Sequence, residues 1–321
     1  MGTPLHAGLP TGSVSSLAEH PGNPDLLFVG TEHALFASTD AGDSWARVPN
    51  LPTTAYDDIL IHPRDGDLVI GTHGRGIWIL DDVGPLAEWT GEVADAPAHL
   101  FGVSPATIFV YWKDTSYRGN AEYAGQNPTD GALVTYALGP GDGSATLSIT
   151  NAAGAAVREI SVPAGEGLHR VNWDLRWGTG STVERWERFE HPTLARPIGN
   201  RGAFVSPGSY TVTLEARGTS VSSTVEVLPD PLSPHLTLDD YREREAFLLE
   251  AFDLVREIQS RMRDADPEEQ TGLRQLQREV QQVVGGMNGG GVRPGTIHPP
   301  TETQRERVRR ARAALDGGQA P

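Results

Sequence analysis

Short runs of alternating apolar and polar residues fill roughly the first 230 positions of the chain. Alternation places the apolar side chains of an extended strand on one face, and turn-forming residues separate the runs. From about residue 237 the apolar residues recur every three or four positions instead, which predicts helices. The chain is therefore expected to be mainly β, with a helical C-terminal end.

The first 90 residues contain an internal repeat of about 40 residues. Residues 9–21 (LPTGSVSSLAEHP) share five identities with residues 51–63 (LPTTAYDDILIHP), and the match continues from 25–42 into 67–84. Such a period, built of short strands, is typical of β-propeller blades, each a four-stranded sheet. The predicted second strands are Leu26–Thr31 and Leu68–Thr72, the third strands are Leu35–Ser38 and Ile77–Leu80, and a fourth strand follows Trp45.

Two blades do not close a ring, because propellers contain about four to eight. Open sheet faces and edges would remain, and these promote aggregation. The chain is therefore expected to be the C-terminal part of a larger protein, or one piece of a ring that further blades or another chain complete.

Three further segments follow the predicted blades at 1–90. Residues 91–104 are predicted to be a linker, and residues 105–230 carry seven strand-like runs that favour an immunoglobulin-like β-sandwich. Residues 237–316 predict an α-helical hairpin and a polar C-terminal helix. Thr237 and Asp266 are the expected caps of the hairpin helices, the second of which is expected to stop at Gly285-Gly286, and the last helix is expected over Thr301–Leu315.

A turn motif lies between the third and fourth strands of the first unit. Ser38, Asp40, Gly42 and Trp45 fit the pattern S-x-D-x-G-x-S/T-W, the Asp box. Asp40 can accept backbone N–H bonds in this turn, and Gly42 permits its tight conformation, so the expected role is structural. In the second unit Asp81 aligns with Asp40, but Val83 replaces the glycine.

The Asp box, the repeat period and the segment GTHGRGIWILDD (71–82) together resemble the last blades of sortilin-like BNR-repeat bacterial "glycosyl hydrolase" propeller proteins. The downstream segments HRVNWDLR (169–176) and PGSYTVTL (207–214) are similar to the tail of those proteins. The resemblance covers most of residues 9–260. It implies an exported protein, although the start of the chain shows no signal peptide.

Candidate ligand-binding residues lie in the loops at the end of each unit opposite the Asp box. Sialidase-like propellers bind ligands on that face, and imidazole, guanidinium and carboxylate groups there can orient a sugar or an anion or supply acid–base chemistry. Ordinary polar loops are the alternative interpretation. The candidates are His33, Tyr56, Asp57, His73 and Arg75, with Glu32 and Asp58 beside them.

A second candidate contact with sugars lies in the long segment Trp177–Ser206, which contains Trp186, Phe189 and His191. Exposed aromatic side chains in such loops can stack on sugar rings. Packing of this segment against the rest of the fold is the favoured interpretation.

Composition excludes several classes of function. The net charge of −16 argues against a nucleic-acid partner, and the absence of cysteine excludes disulfides and thiolate chemistry. No apolar run is long enough to span a bilayer, and no metal or cofactor motif appears, so no metal and no cofactor are predicted.

The expected function is therefore a non-catalytic scaffold that contributes to a face binding a polypeptide or a glycan. The adjacent carboxylates Asp57-Asp58 and Asp81-Asp82 do not form a catalytic pair by themselves, because neighbours in a strand point to opposite faces. Two alternatives stay open. The chain can be a fragment of a sialidase-like glycoside hydrolase whose catalytic residues lie in missing blades, or a purely structural module that seals a propeller.

Overall fold

The computed structural model describes residues 8–110, 121, 130–178, 184–185 (backbone only), 202–289 and 295–317. Over these residues the protein is mainly β, with four sheets followed by C-terminal helices.

The first sheet is an antiparallel meander of four strands. They are β1 (Val14–His20), β2 (Asn23–Thr31), β3 (Leu35–Ser38) and β4 (Ala46–Arg47), in that spatial order. The third strand has the predicted bounds, and β2 begins three residues earlier than expected.

The second sheet repeats this meander with three strands, β5 (Tyr56–Ile61), β6 (Leu68–Thr72) and β7 (Ile77–Leu80). Both sheets carry a register shift near the start of their first strand, after Val14 and after Tyr56. After β7 the chain turns into the short helix α1 (Gly84–Ala87), which has a proline in its first turn. In the described residues no fourth strand pairs with β7.

The two meanders pack face to face around one apolar core. A Cβ atom at Gly30 would lie 2.5 Å from the carbonyl oxygen of Tyr56, so only glycine fits where the sheets approach most closely. The Ser16 hydroxyl donates to the same carbonyl at 2.8 Å. The buried members of this core are Leu26, Phe28, Leu35, Tyr56, Ile59, Ile61, Leu68, Ile70 and Val83.

The segment 91–104, predicted to be a linker, has secondary structure of its own. It contains the helix α2 (Gly91–Asp95) and the strand β8 (Ala98–Leu100), and β8 joins a sheet by pairing with residues 136–138. The prediction is corrected on this point because Ala98 and Leu100 are buried in the core of that region, so their burial favours strand formation.

Two sheets follow, and they share one hydrophobic core. One has the order β13-β10-β8, and the other has the order β14-β12-β11-β15-β16-β9. The strands are β9 (Ala106–Thr107), β10 (Ala132–Leu138), β11 (Ala145–Asn151), β12 (Ala156–Val162), β13 (Gly167–Trp173), β14 (Glu184–Arg185), β15 (Gly208–Ala216) and β16 (Thr219–Leu228). Each of the seven predicted runs overlaps one of these strands.

Three helices follow in the described part of the chain: α3 (Leu238–Asp264), α4 (Pro267–Asn288) and α5 (Glu302–Leu315). Thr237 and Asp266 cap the first two as predicted, and Thr301 caps the third. The sequence predicts that the second helix stops at Gly285-Gly286, but the helix continues to Asn288. The extension is held in place because the buried Arg244 donates hydrogen bonds to the Met287 carbonyl and to Asn288 Oδ1, at 3.2 Å each.

Hydrogen bonds and apolar packing both join the helices to the β region. Glu245 of α3 accepts hydrogen bonds from Trp177 Nε1 at 2.5 Å and from the Ser206 backbone N–H at 3.1 Å. Trp177 thus packs at this junction, in agreement with the favoured interpretation of its segment. The other aromatic candidates of that segment, Trp186, Phe189 and His191, lie outside the described residues.

Candidate functional site

The structure brings two of the predicted ligand-binding residues together. His73 Nδ1 lies 3.2 Å from Asp57 Oδ2, and both side chains are largely exposed. The strand order explains the contact, because the β6–β7 loop and the segment entering β5 lie at the same end of the antiparallel sheet. The His73 backbone N–H donates to the Ala55 carbonyl at 2.9 Å, and the Thr54 hydroxyl donates to the His73 carbonyl at 2.8 Å.

Arg75 lies at the tip of the same loop. Gly74 and Gly76, on either side of it, have φ angles of +72° and +78°, which residues with a side chain rarely adopt. The Arg75 carbonyl accepts a hydrogen bond from Trp78 Nε1 at 3.0 Å, so the backbone is anchored while the guanidinium stays exposed. The loop therefore presents a cation beside the His73–Asp57 pair.

Tyr56 does not belong to this exposed face. Its side chain is completely buried in the core between the first two sheets, and its hydroxyl donates to the Pro52 carbonyl at 2.6 Å. The register shift between Tyr56 and Asp58 is the physical reason, because it turns Tyr56 to the same side as Ile59. Tyr56 is therefore removed from the candidate ligand-binding set.

His33 and Glu32 lie in the β2–β3 loop at the corresponding end of the first sheet, and both are exposed. Thr31 shapes this loop, since its hydroxyl oxygen accepts from the backbone N–H groups of His33 and Ala34. In the part of the chain that the structure describes, no hydrogen bond or ion pair joins His33 to the His73–Asp57 pair. Asp58 is exposed on β5.

The turn predicted to be an Asp box forms a network of hydrogen bonds within itself. Asp40 Oδ1 accepts from the Ser38 hydroxyl at 2.6 Å and from the Ser44 backbone N–H at 2.9 Å, and Oδ2 accepts from the Ser44 hydroxyl at 2.5 Å. Gly42 has a φ of +90°, and its N–H donates to Ser38 Oγ. The two serine hydroxyls and the Ser44 amide lower the pKa of Asp40. These contacts are those of a structural turn.

The equivalent turn of the second sheet is built differently. Strand pairing aligns Ser38 with Leu80, so Asp82 rather than Asp81 takes the position of Asp40. Asp82 is buried, and its carboxylate accepts from the Gly84 N–H at 3.1 Å and from the Ser104 hydroxyl at 3.3 Å. The loop between β6 and β7 is one residue longer than the loop between β2 and β3. This insertion shifts the alignment of the two units by one position, and the sequence alignment does not include it.

Arg170 of β13 ties this turn to the next part of the fold. Its guanidinium donates to the carbonyls of Asp81 and Asp82 at 2.5 and 2.7 Å and to the Thr135 hydroxyl at 3.1 Å. Burial, followed by the charge of Asp67, raises the pKa of Asp81, and the charge of Arg170 partly offsets this. The sequence carried no sign of this contact, which joins positions 88 and 89 residues apart.

The two outer faces of the paired meanders each carry exposed apolar side chains. When the two sheets are aligned by the pairing of β3 with β2 and of β7 with β6, Ile77 takes the position of Leu35. The exposed fraction is 76% for Ile77 but 0% for Leu35. On the opposite side Leu17 occupies the position of Ile59, and the exposed fractions are 62% and 6%. Equivalent positions are thus buried where the two sheets meet and exposed where none of the described sheets covers them.

Two classes of feature are absent from the described ranges. No group of three or more histidine, aspartate or glutamate side chains there could hold a metal ion. No helix among those residues is long and apolar enough to cross a membrane.

Comparisons with known proteins leave the family open. No family model matches the chain, and no curated protein matches it. Solved structures with partial similarity include the extracellular domain of a putative one-component system from B. thetaiotaomicron, at 11% identity and a TM-score of 0.19 over 68% of this chain and 25% of that chain. The BSP domain of a biofilm-associated protein matches at 11% identity and a TM-score of 0.19, over 70% of this chain and 30% of that chain. The chain thus spans less than a third of these structures, and scores this low do not define its fold.

Proposed function

We propose that this chain is a non-catalytic scaffold and binding portion of a larger, sortilin-like Asp-box propeller protein. In this proposal the two meanders are propeller blades, and the two sheets that share a core are an immunoglobulin-like sandwich fixed to the last blade. The loops at the end of the blades opposite the Asp box contribute to a surface that binds a polypeptide or a glycan.

The observation that carries the proposal is the contrast between equivalent positions of the repeat. Burying an aliphatic side chain such as Ile77 or Leu17 is worth about 1.5–3 kcal/mol. Ile77 and Leu17 are apolar although they are exposed, and the equivalent residues of the other sheet are buried. Exposed apolar residues at such positions are expected where further sheets cover them in the assembled protein. The stack therefore continues on both sides in the assembled protein, as blades of a ring do.

The binding surface is proposed from the chemistry of His73, Asp57 and Arg75. The guanidinium and imidazole donate hydrogen bonds, and the carboxylate accepts them, at one exposed end of the second sheet. This combination suits the hydroxyl groups of a sugar or the carboxylate and amide groups of a peptide. The network of Asp40 and its serines, by contrast, uses its polar groups internally and supports only the turn.

A ligand screen with matched variants tests this surface. The full chain is applied to a glycan array and a peptide library, and any ligand found is titrated against His73→Ala and Arg75→Ala. Each variant is expected to weaken binding about tenfold or more, since hydrogen bonds to charged groups contribute about 1.5–3 kcal/mol. The melting temperature should stay the same, because both side chains are exposed.

Arg64→Ala serves as the control, because Arg64 is equally exposed but lies in the β5–β6 loop at the opposite end of the sheet. It should bind the ligand as the wild type does. Equal binding by all four proteins would contradict the proposed surface. Hydrolysis of aryl glycosides by the full chain would instead favour the glycoside hydrolase alternative.

A further inference from the structure

Among the residues that the structure describes, no strand pairs with the outer edge of β7. In the first sheet β4 pairs with β3, with Ala37 opposite Ala46 and Phe36 opposite Arg47, and the Val48 N–H donates to the Leu35 carbonyl at 2.9 Å. In the second sheet the chain leaves for α1 after β7, and no described residue takes the place of β4.

The hydrogen-bonding pattern shows which groups point to this position. The Thr72 N–H donates to the Gly76 carbonyl, so Thr72 and Gly76 form a hydrogen-bonded pair between β6 and β7. Bonded and non-bonded pairs alternate along an antiparallel ladder. The next bonded pair is therefore Ile70 with Trp78, and the backbone groups of Trp78 point toward β6. The N–H and C=O groups of Ile77 and Ile79 therefore point away from β6. These are the positions equivalent to Leu35 and Ala37, which pair with β4 in the first sheet.

The side chains at this edge are unlike those that protect exposed strand edges. Such edges carry lysine, proline or inward-pointing charge in stable soluble proteins. Here the sequence of the strand is Ile-Trp-Ile-Leu, and the exposed fractions are 76% for Ile77 and 60% for Ile79. An apolar edge with four outward-facing backbone groups fits the addition of a strand.

We infer that β7 accepts an antiparallel strand from a separate polypeptide segment of the type that β4 supplies in the first sheet. The occupant is defined by Trp45–Val48, because that segment already pairs with the equivalent edge and lacks acidic residues. Its backbone would bond to Ile77 and Ile79, and the residue equivalent to Ala46 would lie opposite Ile79. This inference uses the repeat architecture of the proposed function but is independent of ligand binding at His73.

Disulfide trapping tests the inference in the full chain, which has no cysteine of its own. The variant Ile79→Cys is mixed, under dissolved oxygen with a copper–phenanthroline catalyst as oxidant, with the synthetic peptide DSWCRVPN, which is residues 43–50 with cysteine in place of Ala46. Directly opposed positions on paired strands lie within the range that a disulfide bridges. Pairing raises the effective concentration of the peptide thiol, so trapping should be about tenfold faster than at an unpaired site.

Leu232→Cys provides the unpaired site, since Leu232 is 71% exposed in a turn outside the sheets. A second peptide, N-methylated at the residue equivalent to Val48, lacks the N–H that bonds to β3 in the first sheet, and its rate should fall to that of Leu232→Cys. Equal trapping at both cysteines, or no effect of N-methylation, would overturn the inference. A disulfide dimer of Ile79→Cys formed in preference to peptide trapping would also overturn it and assign the edge to a second copy. Neither outcome would alter the expected loss of ligand binding in Arg75→Ala.

Discussion

At the scale of single residues, neighbouring groups set the role of each carboxylate. Asp40 is exposed and accepts three hydrogen bonds in its turn, which lower its pKa. Asp81 is partly buried near Asp67, and burial raises its pKa. Two aspartates that align in the sequence therefore differ in the direction of their pKa shift.

The variant Asp81→Asn tests this assignment. Because the pKa of Asp81 is higher in the folded than in the unfolded state, the folded state binds the proton more tightly. Stability should therefore fall as the pH rises from the ordinary carboxyl value through the raised value, and this loss should be absent from the variant. Urea denaturation of both proteins from pH 4 to pH 8 measures the difference. A variant that is less stable than the wild type at pH 8 would contradict the assignment.

Sequence patterns inform residue roles best where the chemistry is local. The hydrogen bonds of the turn around Asp40 all join residues between Ser38 and Ser44, so a short motif contains every group that takes part. The sequence pattern predicts that Tyr56 lies at the exposed end, because it does not reveal a register shift within a strand. The separation of three between Tyr56 and Ile59, both buried, is the only trace of that shift in the sequence.

At the scale of elements, strand positions followed from turn residues, whereas helix ends depended on distant contacts. The bounds of β3, β6 and β7 agree with the pattern because Gly and Asp mark the turns beside them. The end of α4 differs, because contacts from Arg244 on another helix outweigh the low helix propensity of two glycines. Local sequence contains no information on that contact.

A matched pair of substitutions tests whether equivalent positions differ as the exposures indicate. Leu35→Ala should cost about 2–5 kcal/mol, because it opens a cavity between the sheets. Ile77→Ala should change the free energy of unfolding of the isolated chain by less than about 0.5 kcal/mol, because Ile77 contacts little. Chemical denaturation of both variants gives the comparison. Equal losses would mean that Ile77 is covered in solution.

At the scale of the whole molecule, a few polar contacts join the three apolar cores. Arg170 links the second meander to the following sheets through two backbone carbonyls. Glu245 links α3 to the same sheets through Trp177 and Ser206. These contacts span 39 to 89 residues, and composition and periodicity do not predict pairs at such separations.

Arg170→Met tests the first of these junctions. The substitution keeps an apolar stem but leaves the Asp81 and Asp82 carbonyls without their donor, which should cost about 1–3 kcal/mol. Hydrogen exchange should accelerate in β5–β7 and remain slow in β10–β16. Arg64→Met is the matched control, with an expected change within about 0.5 kcal/mol because Arg64 is exposed. Uniform acceleration over the whole chain would argue against a local junction.

In the proposed protein the two meanders belong to a longer stack of sheets. The outer face of the second sheet carries Ile77, and the outer face of the first sheet carries Leu17. In a concentrated solution, the Ile77 face of one copy should pack against the Leu17 face of another copy, which gives head-to-tail association. Leu17→Glu and Ile77→Glu should each be unable to extend such a stack, and Leu232→Glu should associate as the wild type does.

Sedimentation velocity on the two face variants, alone and mixed in equal amounts, measures this association. Each variant retains one intact face, so the mixture should form a heterodimer and each variant alone should be monomeric. A mixture that stays monomeric, or wild type and variants that associate equally, would contradict the claim that these faces are positions for further sheets.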